Sequence, residues 1–531
     1  MKKEKKTAIV GDKDNNNKEL EKMDLAKTVA KGSFVNIGSN SLIKILGIVF
    51  YFLVLRLLPP EEAGIFFIAF AIFGFAKVIP SLGIPTSINR FVPYYIGKGK
   101  KEKVRPLVKK FGAYLLILSI FSSLLLFLLS GSIAQIYGEP ALHSLILLIT
   151  ITIPFALFFD FFLASLRGIK RFISSSIAAA SNSIIKVLVL AFAIYFVSRT
   201  AFNSFLSITI AFIITTIIIG VWTFLKYKKF PSGKLKKEDT KGIFSYGVPM
   251  YISSLGTLLS NWTDTLVLGF FMTNPIVAAY NAVALIARNV GPVVSLPLSQ
   301  IMQPIFANLH GKGKSSEENF RSLAKYYNKW ALILGLPVLI VFTILSYQIM
   351  HVIFPAYEEY HWLLWIMAPT FFITLIAAPF RDALWAIGRS DIFMASSLII
   401  IIPNLALNWI LIPIYGVLGA AVASAITYII AQSIFIYYGT TRTKVWFHKN
   451  VLKIAGIALI SAVLLFGISE FASARMEIPA GLFNGLLYLI VLVLPMLIIY
   501  FGLLYFVIGI SNIEKKLINI LCIKSRIKRK G

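Results

Sequence analysis

The sequence contains a long series of apolar stretches, each of them long enough to form a membrane-spanning helix. A helix needs about 20 mostly apolar residues to cross the hydrocarbon core of a bilayer. Such runs predict fourteen spans, at about 33–57, 64–84, 111–135, 141–166, 173–197, 201–225, 243–272, 276–305, 329–350, 361–380, 392–413, 416–438, 452–472 and 480–510. The alternating pattern of barrel strands does not occur, so we predict an all-α integral membrane fold.

The composition excludes the usual soluble classes. Hydrophobic residues make up 58% of the 531 residues and charged residues 14%, whereas a soluble globular chain has roughly 45–50% apolar and about 25% charged residues. A soluble enzyme and a disordered chain are therefore excluded. The single cysteine, Cys522, excludes a disulfide scaffold.

The charge distribution predicts the orientation. The net charge is +29, with 52 lysine and arginine residues, of which 45 fall in the even-numbered loops and the two tails. Only Arg56, Arg199 and Arg475 fall in the odd-numbered loops. The positive-inside rule then places both termini in the cytoplasm of a multi-pass protein of the cell membrane, plasma or inner. Because topology accounts for the basic residues, we expect no nucleic-acid partner, although they also favour contact with anionic membrane lipids.

The two halves of the chain resemble each other. LRLLPPEEAGIFFIAFAI, from Leu55, aligns without gaps with FFMTNPIVAAYNAVALI, from Phe270, and each segment joins two helices through a short turn with proline. Internal duplication is common in transporters. We therefore predict two pseudo-symmetric six-helix bundles and two further helices. The predicted segments are an N-terminal cytoplasmic tail at 1–31, a first bundle at 32–226, a basic linker at 227–242, a second bundle at 243–440, helices 13 and 14 at 441–510, and a basic tail at 511–531.

Several of these segments resemble a known family. RLLPPEEAGIFFIAFAI and SLGIPTSINRFVPYYIGKGKKEKVR resemble the first two helices and following loop of polysaccharide-unit flippases, and WTDTLVLGFFMTNPIVAAYNAVALIA resembles helices seven and eight. RDALWAIGRSDIFMASSLIIIIPNLALNWILIPIYGVLGAAVASAITYII resembles helices eleven and twelve. These are the lipid-linked oligosaccharide flippases of the multidrug/oligosaccharidyl-lipid/polysaccharide (MOP) exporter superfamily, and the resemblance covers about residues 25–510.

The resemblance implies a V-shaped, MATE-like arrangement of two six-helix bundles around a cavity lined chiefly by helices 1, 2, 7 and 8. It also implies alternating access that carries a glycan on a polyprenyl or dolichyl carrier from the inner to the outer leaflet. The implied partners are a lipid-linked oligosaccharide, membrane lipids and glycan-assembly enzymes.

Charged residues inside the predicted spans mark the candidate site. A charge within the bilayer costs a few kcal/mol on insertion scales and usually serves a function. Six candidates of this kind stand out: Lys44, Lys77, Asp160, Lys186, Asp264 and Arg288. Four of the six lie on helices that the resemblance places around the cavity.

The residue types suggest a phosphate-binding cavity. Lys44, Lys77 and Arg288 suit a phosphate or diphosphate, since arginine donates bidentate hydrogen bonds and lysine acts as a point charge. We expect Asn40 and Asn261 to bind the glycan. Asp264 would pair with a cavity cation or carry a coupling proton.

Structural roles are alternatives for each charge. Lys44 and Lys77 can snorkel toward an interface. Lys186 and Asp160 can form an ion pair outside the cavity. Arg90, at the inner end of helix 2, would receive the incoming phosphate or serve as an interfacial anchor.

Three functions remain open: the flippase, an ion-coupled multidrug or organic-cation antiporter of the same superfamily, and an integral-membrane glycosyltransferase. An antiporter for organic cations needs an acidic cavity, whereas these residues make it net positive. Membrane glycosyltransferases use acidic residues on large outer loops, and the predicted outer loops are short. We expect no enzyme activity and no cofactor, with coupling to a proton or Na⁺ left open, because no nucleotide-binding or metal-binding motif occurs.

Overall fold

The fold is helical, as the sequence predicts. The computed structural model describes residues 41–235, 237–479 and 481–508, and no strand occurs among them. Within these ranges, eleven helices are long and apolar enough to cross a membrane. The predicted all-α membrane fold class is confirmed, while the count of fourteen spans stays a prediction. The two numbers differ partly because one of the eleven helices covers two predicted spans.

One compact unit of the structure ends at Leu255. Its helices are α1 (41–57), α2 (Pro60–Val78), α3 (Ile84–Gly97), α4 (Val104–Ile136), α5 (Pro140–Gly168), α6 (Phe172–Phe196), α7 (Ala201–Tyr227) and the first part of α8 (Lys237–Phe271). α5 is the central helix, since it packs against α2, α3, α4, α6 and α7.

The second unit begins at Gly256, within α8. Its further helices are α9 (Asn274–Gly311), α10 (Glu317–Ile344), α11 (Ser346–Ile353), α12 (Leu363–Ala386), α13 (Ser390–Thr443), α14 (Val451–Ser473) and α15 (Leu482–Ile508). α12 packs against α9, α10 and α13, and α14 and α15 pack against each other and α10. The central helices α5 and α12 correspond to predicted spans four and ten, each the fourth span of its half. The predicted domain boundaries remain a prediction.

The second predicted span, 64–84, is broken rather than continuous. It begins earlier, with Pro60 in the first turn of α2, where a missing N–H costs nothing. α2 ends at Val78, and the chain turns through Leu82 (φ 43°) and Gly83 (φ 69°) before α3 begins. Gly83 lies directly against the backbone of Gly247 in α8, so a side chain at Gly83 would be both strained and blocked.

Two other predicted spans also change shape. The predicted span 329–350 is interrupted at Leu345, between α10 and α11. The predicted spans 392–413 and 416–438 join in one helical run, α13, in which Gly416 has a non-helical backbone (φ 57°, ψ −133°). Glycine tolerates this conformation without the steric cost that a side chain would impose, so Gly416 divides α13 into two segments.

Candidate functional site

A buried carboxylate, that of Asp264, is the centre of a polar network in the second unit. Arg288 Nη2 donates to Asp264 Oδ2 over 2.9 Å, and the hydroxyl of Tyr280 donates to the same oxygen through a short hydrogen bond. Ser424 Oγ adds a third bond to Oδ2 at 3.2 Å. The backbone N–H of Thr265 donates to Oδ1 over 2.9 Å. Of the two roles expected for Asp264, pairing with a cavity cation is confirmed, with Arg288 as the partner. Its role as the carrier of a coupling proton stays a prediction.

Helical spacing brings these groups together. Tyr280 and Arg288 are eight residues apart on α9, just over two turns, so they share one face of the helix. Ser424 and Tyr428 are four residues apart on α13 and face the same side in the same way. The hydroxyl of Tyr428 donates to Asn261 Oδ1 over 3.0 Å, which extends the network along α8 by one turn.

The ion pair of this network is internally neutral. The side chain of Asp264 has no exposed surface, and that of Arg288 is 19% exposed. Arg288 Nε has no hydrogen-bond acceptor among the described residues. Arg288 therefore retains one buried donor, although its charge is balanced by Asp264.

A second ionic group lies in the first unit. Lys77 Nζ is 2.8 Å from Asp160 Oδ2, which joins α2 to the central helix α5. The ammonium of Lys77 also lies 5.3 Å from the ring centroid of Phe212 on α7. This pair is more open than the pair of the second unit, since the Lys77 and Asp160 side chains are 21% and 42% exposed.

The ion pair between Lys186 and Asp160, one of the alternatives that the sequence left open, is wrong. Asp160 is paired with Lys77, because α2 packs against α5 and brings the last-turn lysine of α2 to this carboxylate. The ammonium of Lys186, on α6, lies 4.5 Å from the ring centroid of Phe50 instead.

The other predicted site residues are not part of these two groups. Lys44 is exposed on α1. Arg90 is exposed on α3, with its guanidinium carbon 5.7 Å from the ring centroid of the adjacent Phe91. Asn40 lies outside the described residues. The assignment of these residues to a substrate site stays a prediction.

The sequence reasoning missed the hydroxyl-bearing members of the Asp264 network, Tyr280, Ser424 and Tyr428. The sequence indicates them only through helical spacing. Tyr280 shares a helix face with Arg288, and Ser424 shares a helix face with Tyr428. Hydroxyl groups are common in membrane helices, where they bond to the backbone of their own helix, so the register alone does not single these three out.

A further buried carboxylate was also missed. Asp382 on α12 is fully buried and accepts from Gln303 Nε2 at 2.9 Å and from the hydroxyl of Tyr327 at 3.1 Å. Ser299 bonds to the same hydroxyl at 3.0 Å. The predicted span ended at residue 380, whereas α12 continues to Ala386 and keeps Asp382 inside the packed helices.

No cluster of three or more metal-binding side chains occurs in the described part of the chain. The candidate site instead consists of two charge pairs and a hydroxyl network. Such groups are suited to binding charged or hydrogen-bonding parts of a ligand.

Similar proteins of known name or structure agree with this fold. The chain is 23% identical over 473 residues to a probable low-salt glycan biosynthesis flippase, Agl15, of Haloferax volcanii, covering 88% of this chain and 94% of that protein. The structure of this chain is similar to that of the lipid II flippase MurJ in an inward closed conformation. The TM-score is 0.69 at 16% identity, and the match covers 89% of this chain and 99% of MurJ. The structure is also similar to a multidrug resistance MATE family transporter of the MOP superfamily in an inward-facing conformation, with a TM-score of 0.63 at 14% identity, covering 78% of this chain and 98% of the transporter.

The fold is therefore of the MurJ and MATE type, as the sequence resemblance implies. The model of the polysaccharide biosynthesis protein family (Polysacc_synt) matches residues 29–310, which is more than half of the chain. The chain belongs to the polysaccharide biosynthesis protein family.

Proposed function

We propose that this protein is a flippase that moves an oligosaccharide, linked to a polyprenyl or dolichyl phosphate or diphosphate, from the cytoplasmic to the outer leaflet of the cell membrane. It acts by alternating access and serves the assembly of a surface polysaccharide or of glycoprotein glycans. Family membership, the similarity to a glycan biosynthesis flippase and the MurJ-type fold support this function. Both termini lie in the cytoplasm, as the distribution of basic residues favours.

The pairing of the intramembrane carboxylates is the observation that carries the proposal. Asp160 is held by Lys77, and Asp264 is held by Arg288. An antiporter for organic cations needs a carboxylate that is free to bind its cargo. Both carboxylates predicted inside the spans are instead paired with the protein's own cations, so neither is free to bind a cationic cargo.

The residues have distinct roles in this proposal. Lys44, Lys77 and Arg288 bind the phosphate groups, with Arg288 acting chiefly through its unpartnered Nε–H. Asn40 and Asn261 donate hydrogen bonds to the glycan. Asp264 holds Arg288 in place.

Arg90 makes the first contact with the head group, because α3 carries it beyond the end of α2. The sugar-bearing lipid then reaches the cations further along the spans, while its hydrocarbon tail stays in the bilayer.

Deletion of the gene in the source organism tests the proposed function. In sealed, right-side-out vesicles, a membrane-impermeant oxidant such as periodate should leave the lipid-linked glycan of the deletion strain intact, because the glycan accumulates on the inner face. Vesicles of the parent strain should lose it. Equal oxidation in both strains would contradict the proposal. Restoration by the Lys226→Gln variant, which changes a lysine outside the site, serves as the control.

A further inference from the structure

The oxygen atoms of the Asp264 carboxylate are occupied by donors of the protein itself. Three side chains, those of Arg288, Tyr280 and Ser424, donate to Oδ2, and a backbone N–H donates to Oδ1. The Asp264 side chain has no exposed surface, and Tyr280 and Ser424 are buried beside it. A ligand that reaches this network therefore finds no accessible acceptor on the carboxylate.

The side-chain amide of Asn261 is oriented by Tyr428. The Tyr428 hydroxyl donates to Asn261 Oδ1 over 3.0 Å. The ring of Tyr428 packs edge-to-face on Phe371, with the ring centroids 4.6 Å apart, so the hydroxyl is held in place. An amide whose oxygen is engaged in this way presents its two N–H donors on the other side. Tyr428 thus turns the donors of Asn261 away from the contact between the two residues.

Two donors of the network have no acceptor among the described residues. One is Nδ2 of Asn261, a partly exposed residue, and the other is the buried Nε of Arg288. Asn261 lies three residues before Asp264 on α8, about one turn, so it is close to the ion pair of Asp264 with Arg288. A buried donor without an acceptor costs free energy, which a ligand oxygen recovers. The network is therefore complementary to acceptors and not to further donors.

We infer that Tyr428 is a positioning residue that sets the specificity of this site, because it holds Asn261 as a hydrogen-bond donor. Asn261 and Arg288 then bind acceptor oxygens of the diphosphate, at the end that carries the glycan. The same pair discriminates against an ammonium group, which has donors only. This inference rests on the proposed function and deepens it, since it states how the site selects its ligand.

Binding of a short lipid diphosphate tests the role of Asn261. The full-length protein in phosphatidylcholine nanodiscs is titrated with farnesyl diphosphate. Asn261→Ala should weaken binding about tenfold, because it removes a hydrogen bond to a charged group. Asn261→Asp keeps the shape of the side chain but replaces the N–H donors with a charged oxygen, so it should weaken binding more than Asn261→Ala does.

Two results of this titration would overturn the inference. One is a wild-type protein that does not bind farnesyl diphosphate. The other is an Asn261→Asp variant that binds it as tightly as Asn261→Ala or more tightly, because the site would then not require a donor at this position.

The Tyr428→Phe variant tests the positioning role, because it removes the hydroxyl and keeps the ring that packs on Phe371. Binding of farnesyl diphosphate should weaken about threefold, since the amide of Asn261 can then turn its oxygen toward the ligand. In an Asn261→Ala background the same change should have no further effect on affinity. Equal losses in both backgrounds, as a purely structural role predicts, would contradict the inference, and so would wild-type affinity in Tyr428→Phe.

Tyr500→Phe is the matched control for the loss of a tyrosine hydroxyl. Tyr500 is a tyrosine of the same unit, and its hydroxyl donates to the backbone carbonyl of Ile333 over 3.1 Å. The variant should bind farnesyl diphosphate as the wild type does. A loss equal to that of Tyr428→Phe would contradict a specific role for Tyr428.

The ratio of two affinities gives a readout that partial misfolding of a variant does not change. Farnesylamine has the same chain as farnesyl diphosphate but ends in an ammonium group. The wild type should prefer the diphosphate. Asn261→Asp should shift the ratio toward the amine by at least about tenfold, because a carboxylate attracts the ammonium and repels the phosphate. An unchanged ratio would overturn the inference, because Asn261 would then not face the ligand.

The outcomes also separate this inference from the proposed function. If the ratio shifts but the deletion strain still delivers its glycan to the outer leaflet, the proposed function fails and the inferred specificity stands. If delivery depends on the protein but the ratio does not shift, the proposed function stands and the inferred specificity fails.

Discussion

Arg288 and Asp264 form an ion pair at 2.9 Å in which the carboxylate has no exposed surface. Removal of one partner of a buried pair leaves an uncompensated charge and typically costs about 3–5 kcal/mol. We therefore expect Asp264→Asn and Arg288→Gln, each alone, to lower the midpoint of thermal unfolding of the purified protein. The double variant should recover much of the loss. Single variants as stable as the wild type would contradict the pairing.

The hydroxyl of Tyr280 shares the same carboxylate oxygen with Arg288 and Ser424. Tyr280→Phe leaves that oxygen with its other donors. We therefore expect the free energy of unfolding to fall by only about 1–2 kcal/mol, less than in the ion-pair variants. A double-mutant cycle with Ser424→Ala should give a coupling energy above about 0.5 kcal/mol, because both hydroxyls donate to one atom. Strict additivity in thermal unfolding would count against a shared oxygen.

The buried carboxylate of Asp382 ties α9 and α10 to α12 through Gln303 and Tyr327. Asp382→Ala should destabilise the protein, because Gln303 loses its acceptor and the buried hydroxyl of Tyr327 keeps only its bond with Ser299. Asp391→Ala is the matched control, since this carboxylate is exposed and its pair with Arg389 contributes little. Comparable unfolding midpoints for the two variants would be inconsistent with a structural role for Asp382.

Gly291 allows α9 to pack closely against α12. A side chain at Gly291 would overlap the Phe371 carbonyl and the Thr374 hydroxyl, so Gly291→Ala should cost about 1–3 kcal/mol. Gly467 in α14 has no neighbour within 4 Å, and Gly467→Ala should leave stability unchanged or slightly raised. If both variants unfold at the same temperature, α9 and α12 are not packed as described.

The sequence predicts the membrane fold and the residues of the ionic groups, but not all of the partners. For Asp264 the sequence suggests a cavity cation as one of two alternatives, and the structure identifies that cation as Arg288. The helices of Lys77 and Lys186 both pack against α5, so the pairing of Asp160 with Lys77 depends on which side chain reaches the carboxylate. Hydropathy does not indicate this.

The breaks within predicted spans escaped prediction for a related reason. Leu82 adopts a positive φ that its residue type does not indicate, and so the predicted span continues past the end of α2 at Val78 to residue 84, where α3 begins. Tyr280 and Tyr428 could be placed in register with Arg288 and Ser424, but their partners across helices become visible only in the folded chain.

Transport by the purified protein tests the central claim most directly. Proteoliposomes containing the full chain and a polyprenyl-diphosphate-linked oligosaccharide are treated with a membrane-impermeant glycosidase, and the cleaved fraction is followed over time. The proposed function predicts that cleavage proceeds beyond the outer-leaflet share, toward completion, and that Lys77→Ala and Arg288→Ala slow this second phase. Cleavage that stops at the outer-leaflet share, as in protein-free vesicles, would contradict the account.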